Sequence, residues 1–161
     1  GMPRTELEAD VDAAASKISF QYGVCKEETG LHIACQNGDV TTVALLLERS
    51  ADVNRVRKDF EVGGSRAHIT VEETALHIAI SNHCARLVAL LVCVGADRAQ
   101  GRRHGKQSSS PEQLCQGNME MLGALRAQWS PAVQQLFSAE ELASVQAAVE
   151  KAEALGLGGG L

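Results

Sequence analysis

Two histidines, His32 and His77, each stand three residues after a threonine, Thr29 and Thr74, and they are the first candidates for acid–base or nucleophilic chemistry. Such work needs a converging partner group, and no Cys or carboxylate converges on either in the sequence. His68, His83 and His104 fall in connecting segments, and none has metal-ligand spacing. The five cysteines (Cys25, Cys35, Cys84, Cys93, Cys115) are an odd number without a Cys-x-x-Cys pair, so they predict neither a disulfide framework nor a zinc site. Free thiols of this kind fit a reducing compartment. No phosphate loop, dinucleotide-binding glycine pattern or nucleophile elbow occurs. The adjacent carboxylates Glu72-Glu73 and Glu140-Glu141 stand at helix starts, where the positive end of the helix dipole favours them without any catalytic role. The chemistry-bearing residues therefore predict no catalytic site, no metal and no cofactor.

Charge is the next signal. The net charge is −5, but from Arg49 to Lys106 the chain carries ten Lys/Arg against six Asp/Glu, so a basic middle lies between acidic flanks. Arg55, Arg57, Lys58 and Arg66 form one group, and Arg98, Arg102, Arg103, His104 and Lys106 another. These are either simply solvated, charged loops or a basic rim that focuses potential and attracts an acidic surface. Nucleic acid is disfavoured, because the balance is acidic overall and few aromatics are present to stack bases.

These groups must be positioned by a scaffold, and the sequence repeats itself. Glu28-Thr29-Gly30-Leu31-His32-Ile33-Ala34, then Asn37-Gly38, then Val43-Ala44-Leu45-Leu46-Leu47, ends at Ala51-Asp52-Val53-Asn54. It aligns without gaps with Glu73-Thr74-Ala75-Leu76-His77-Ile78-Ala79, then Asn82-His83, then Val88-Ala89-Leu90-Leu91-Val92, ending Gly95-Ala96-Asp97. Each threonine stands at an N-cap position, and the apolar residues recur at one-turn spacing on a helix face. Asn37-Gly38 breaks the chain into two helices. So short a helix pair buries its apolar face only by stacking on neighbours, at about 1.5–3 kcal/mol per large side chain.

These segments resemble ankyrin repeats, whose pattern runs T-P-L-H-x-A through L-L-L to G-A-D-V-N. Gly30 and Ala75 replace the usual Pro, while Ser50 and His83 stand where glycine is usual, which predicts left-handed geometry at a cost of about 1 kcal/mol each. The resemblance implies that His32 and His77 are structural bolts, bonding the capping Thr29 and Thr74 and neighbouring backbone. It implies partner contacts at the exposed ends of the first helices (Gln36, Asn37, Ser81, Asn82) and on the fingers (Arg57, Phe60, Arg102, Arg103, His104, Lys106), where Phe60 is either an exposed aromatic anchor or packed across the hairpin. Leu46, Asp52, Val53 and Asn54 match the spacing favoured by the asparaginyl hydroxylase of ankyrin loops, so Asn54 is a candidate modification site. Ser110, before Pro111, is a candidate for a proline-directed kinase or simply a helix start.

Thr74 follows Thr29 by 45 residues where the ankyrin period is 33. The extra length lies between Val53 and Glu73, where Phe60, Val62, Ile69 and Val71 alternate about Gly63-Gly64-Ser65. That predicts a long projecting hairpin. Ser138 with Glu141 forms a capping box before a helical face of Leu142, Val145, Val149, Ala152 and Leu155.

The expected architecture is an all-α ankyrin solenoid. Residues 1–24 form a capping half-repeat with a stripe of Leu7, Val11, Ala14, Ala15 and Ile18. Repeats follow at 25–57 and 70–101, with a degenerate one at 102–128 and an extended finger at 55–71. A helix within 129–155 covers the end of the last repeat or else serves as a separate docking motif for a second partner, and 156–161 is a flexible tail. No apolar run is long enough to cross a membrane, and no signal-peptide pattern opens the chain, so the expected location is the cytoplasm or the nucleus. The expected function is a monomeric, non-catalytic adaptor, scaffold or inhibitor that binds another protein with an acidic surface. The other reading is a binder of an anionic ligand, nucleic acid or phosphoinositide.

Overall fold

The computed structural model describes residues 15–19, 24–63 and 66–156. In chain order these form β1 (Ala15–Ser19), β2 (Val24–Glu28), α1 (Gly30–Asn37), α2 (Val40–Glu48), β3 (Arg57–Gly63), β4 (Arg66–Glu73), α3 (Ala75–Ser81) and α4 (Ala85–Cys93). There follow β5 (Arg102–His104), β6 (Gln107–Ser109), α5 (Pro111–Cys115), α6 (Met119–Leu125), α7 (Pro131–Gln134) and α8 (Ala139–Ala154).

Three helix pairs, α1–α2, α3–α4 and α5–α6, stack side by side, with α1 on α3 on α5 in one layer and α4 on α6 in the other. Leu76, Leu87, Val88, Leu90 and Leu91 of the middle pair are almost wholly buried. The middle pair has a neighbour on both sides, so both of its faces are removed from water. The inner turns need left-handed residues, and the structure has them at Gly38 (φ 68°) and His83 (φ 54°), with Ser50 (φ 68°) at the loop after α2.

The all-α expectation is corrected by the strands. The hairpins β1–β2, β3–β4 and β5–β6 do not project separately. β2 also pairs with β3 and β4 with β5, giving one antiparallel sheet in the order β1-β2-β3-β4-β5-β6. Joining the fingers satisfies backbone N–H and C=O groups that isolated hairpins would leave at exposed edges. β4 runs on to Glu73, past the expected end of the finger at 71. A register shift between Asp59 and Phe60 pairs Asp59 with Val71 but Phe60 with Ile69. This β-bulge moves Val71 and Ile69 to opposite faces, although simple alternation places them together.

The N-terminal helical stripe is corrected where it is described: Ala15 and Ile18 lie in β1, paired with Glu28 and Cys25. Leu7, Val11 and Ala14 lie outside the described residues, as does most of the tail at 156–161.

The long C-terminal helix α8 forms with the expected capping box, Ser138 Oγ accepting from Glu141 N–H and Glu141 Oε2 accepting from Ser138 N–H. Its docking place is corrected. It packs chiefly along α2 of the first helix pair, and secondarily on α4, rather than over the end of the last repeat. Val145, Ala148, Val149 and Ala152 make the buried face. Two alanines on that face let the helix axes approach closely, while Leu155, expected on it, is 52% exposed. Arg86 Nη1 donates to Glu141 Oε2 at 2.6 Å and tethers the helix to α4.

Candidate partner interface

The two Thr–His pairs are built alike. His32 Nδ1 accepts the Thr29 backbone N–H and the Thr29 hydroxyl, both at 2.9 Å. Its Nε2 reaches the carbonyl of Arg55 at 2.8 Å. A carbonyl only accepts, so the proton sits on Nε2 and the ring is the neutral tautomer. His77 repeats the arrangement with Thr74 and the carbonyl of Gln100. In both, the carbonyl lies 23 residues beyond the histidine. The extra finger residues are therefore inserted after the bolted unit has closed, between Arg55 and Thr74. Burial lowers the pKa of both rings, with the carbonyl hydrogen bond opposing. Both are fully buried, which leaves them no access to a substrate.

Two asparagines clamp neighbouring repeats. Asn82 Nδ2 donates to the carbonyls of Cys35 (3.1 Å) and Gln36 (3.0 Å), joining the end of α3 to the end of α1. Asn54 Nδ2 donates to the Gly95 carbonyl at 3.3 Å, and Asn54 Oδ1 accepts from Asp97 N–H at 2.7 Å, in the loops that follow the second helices of the same two pairs. The candidate modification site therefore has its amide engaged on both sides. Ser110 is the N-cap of α5, accepting from Gln113 N–H, while Gln113 Oε1 accepts from Ser110 N–H where a bolt histidine would stand.

The arginines are held by carboxylates. Arg57, expected on an exposed rim, is 6% exposed. It donates to Glu28 Oε2 (3.1 Å), Glu73 Oε1 (2.6 Å) and Asp59 Oδ1 (2.9 Å). Arg102 Nε donates to Glu73 Oε2 at 2.7 Å, and Gln36 Nε2 to Glu28 Oε2 at 2.9 Å. One face of the sheet thus carries an unbroken chain, Gln36–Glu28–Arg57–Glu73–Arg102. Burial pushes the Glu28 carboxyl up, but hydrogen bonds from Gln36 and Arg57 and the Arg57 charge outweigh it and hold the group below its ordinary range. The physical reason for the correction is register: Arg57 stands opposite Glu73, and a guanidinium this deeply placed requires carboxylate partners. On the other face Glu27 stands opposite Lys58, Lys58 opposite Glu72, and Glu72 opposite Arg103. Sequence reasoning missed both rows. Their signal was the four charge doublets Glu27-Glu28, Arg57-Lys58, Glu72-Glu73 and Arg102-Arg103, alternating in sign along the chain.

The remaining expected contact residues are accessible. Gln36, Asn37, Ser81, Asn82, Arg103, His104 and Lys106 are exposed, and Phe60 is half-buried opposite Ile69. The structure separates them into two groups: Gln36, Asn37, Ser81 and Asn82 at the ends of α1 and α3, and Arg103, His104 and Lys106 on the β5–β6 hairpin. Among the described thiols, burial pushes Cys35 up to about 12 and Cys93 up to about 11, so neither is a nucleophile near neutral pH. Among the described residues, no three His, Cys, Asp or Glu side chains gather as metal ligands.

Short helix pairs, each bolted to its own loop, clamped to the next pair and fringed by hairpins, define a repeat solenoid. Residues 9–100 match the family model for ankyrin repeats, in three copies, and the chain belongs to the ankyrin-repeat family. The match begins ahead of β1 and stops before β5, so α5–α6 lies beyond it. No curated protein and no solved structure matches the chain. Ankyrin repeats in general mediate protein–protein interaction and are typically non-catalytic. Among the described residues, no helix is long and apolar enough to cross a membrane.

Proposed function

We propose that this chain is a non-catalytic interaction module, an adaptor, scaffold or inhibitor, that holds a protein partner on the exposed ends of α1 and α3 and on the β5–β6 finger. The observation that carries the reading is where side chains remain accessible. His32, His77 and Arg57 are buried within the scaffold, whereas Gln36, Asn37, Ser81, Arg103, His104 and Lys106 face solvent. Arg103 and Lys106 place two positive charges on one hairpin beside His104, suited to an acidic patch on the partner. Arg57 and Arg102 are tied to Glu28, Asp59 and Glu73, which removes both from the basic rim that an anionic ligand would need.

The test is affinity capture with wild type beside Arg103→Glu combined with Lys106→Glu. Arg103 contacts Glu72 at 3.3 Å through a largely exposed side chain, and such exposed pairs contribute little to stability. The thermal midpoint should hold nearly constant while partner retention drops. Equal retention by wild type and variant removes the finger from the interface. Retention of nucleic acid or lipid alone, released at moderate salt, replaces the protein-partner reading with the anionic-ligand one.

A further inference from the structure

We propose that the Lys58-bearing face of the sheet is a self-association surface, and that its occupant is a second copy of this chain. The register places Glu27, Lys58, Glu72 and Arg103 in one row across β2, β3, β4 and β5. The next row on the same face runs through Phe60 and Ile69. The β-bulge brings Ile69 into that row, and Ile69 is 46% exposed, which leaves an apolar position at its end open to solvent. Among the described residues the only helix in substantial contact with a strand is α3, the continuation of β4.

The charge order identifies the occupant. Read from β2 to β5, the row is negative, positive, negative, positive. A two-fold axis parallel to the strands, passing between β3 and β4, brings a second copy face to face with its row reversed. Glu27 then meets Arg103 of the other copy, Lys58 meets Glu72, and all four positions oppose the unlike charge. The same axis sets Phe60 against Ile69 of the other copy. An in-plane axis across the strands sets like charge on like, so only one isologous arrangement works. That arrangement keeps the strands of the two sheets aligned, a preferred geometry for packed sheets. Four strands at about 4.8 Å spacing and about 20 Å length offer roughly 400 Å² per copy. This is about half of a standard interface side, so the association is weak and reversible. It replaces the monomer expected from the sequence, and it shares only Arg103 with the finger run of Arg103, His104 and Lys106, so its test rests on Ile69, Lys58 and Glu72, which lie outside that run.

The test is sedimentation equilibrium of the full chain over a concentration series reaching the high-micromolar range. Wild type should shift from the mass of one chain toward two. Ile69→Arg, at an exposed position that leaves the fold intact, should weaken association by about tenfold or more. Lys58→Glu and Glu72→Lys should each stay single, since each alone sets like charges opposite one another. Mixed together they should associate again, because each restores the complement of the other. Thermal melting checks that the variants are folded, and Ile69→Arg carries the test where a charge swap is not. A wild-type mass that stays at one chain overturns the proposal, as does association untouched by Ile69→Arg or a mixture of folded charge-swap variants that stays single. Failure here leaves partner capture by the β5–β6 finger unaffected, so the two readings fall separately.

Discussion

His32 and His77 show how one residue type decides between chemistry and architecture. A histidine beside a threonine is open to either until the ring's surroundings are known, and here both nitrogens are occupied and the ring is sealed from water. Burial lowers both ring pKa values below the ordinary 6.5. Through the window between about 6.5 and the lower folded value, the unfolded chain binds more protons than the folded one. The histidine contribution is therefore fully present above about pH 6.5 and is lost as pH falls below it. Denaturant midpoints measured from pH 7.5 down to pH 5 should fall, and a His32→Gln, His77→Gln variant, less stable throughout, should show a flatter profile. Arg57 carries the opposite lesson, because its charge reads as a surface feature until its partners are known. Arg57→Met leaves the buried Glu28 without its guanidinium partner and Glu73 with Arg102 alone, and should cost about 3–5 kcal/mol in urea unfolding.

Helices and strands contribute in different ways. The helix pairs were legible because 3.6-residue periodicity, an N-cap threonine and a turn glycine are all local, and α1 to α4 fall where those signals put them. Repeat-to-repeat attachment was not legible, since Asn82 and Asn54 act on carbonyls more than 40 residues away. Asn82→Ala should lower stability by about 1–2 kcal/mol by leaving the Cys35 and Gln36 carbonyls short of a donor. Hydrogen exchange should quicken at the α1–α3 contact, and unchanged exchange there contradicts the clamp. The fingers were half legible: alternation marked the β3–β4 hairpin, but its bulge depends on how two strands align, and it sends Ile69 and Val71 to opposite faces.

The chain as a unit combines a helix stack with a continuous sheet, tied at the back by α8. The helix does not finish the stack by covering its last repeat; it returns to the first pair and lies along α2. Truncation after Gln128 removes the buried face of Val145, Ala148, Val149 and Ala152 and should destabilise the protein by several kcal/mol. Amide exchange in the truncated chain should rise most in α2, residues 40–48, rather than in α6. Faster exchange concentrated in α5 and α6 instead means that the helix protects the third pair.

The repeat, the helix pairs, the family resemblance and the long finger can all be read from the order of the residues. Each rests on patterns within a few tens of residues, where propensity, capping and periodicity act. The joining of the fingers into one sheet, the burial of Arg57 among carboxylates and the seat of α8 on α2 emerge in the folded chain alone. These outcomes depend on which distant segments meet. An arginine is a rim charge or a buried tie according to what stands opposite it, and strand register, set when the repeats stack, supplies that neighbour.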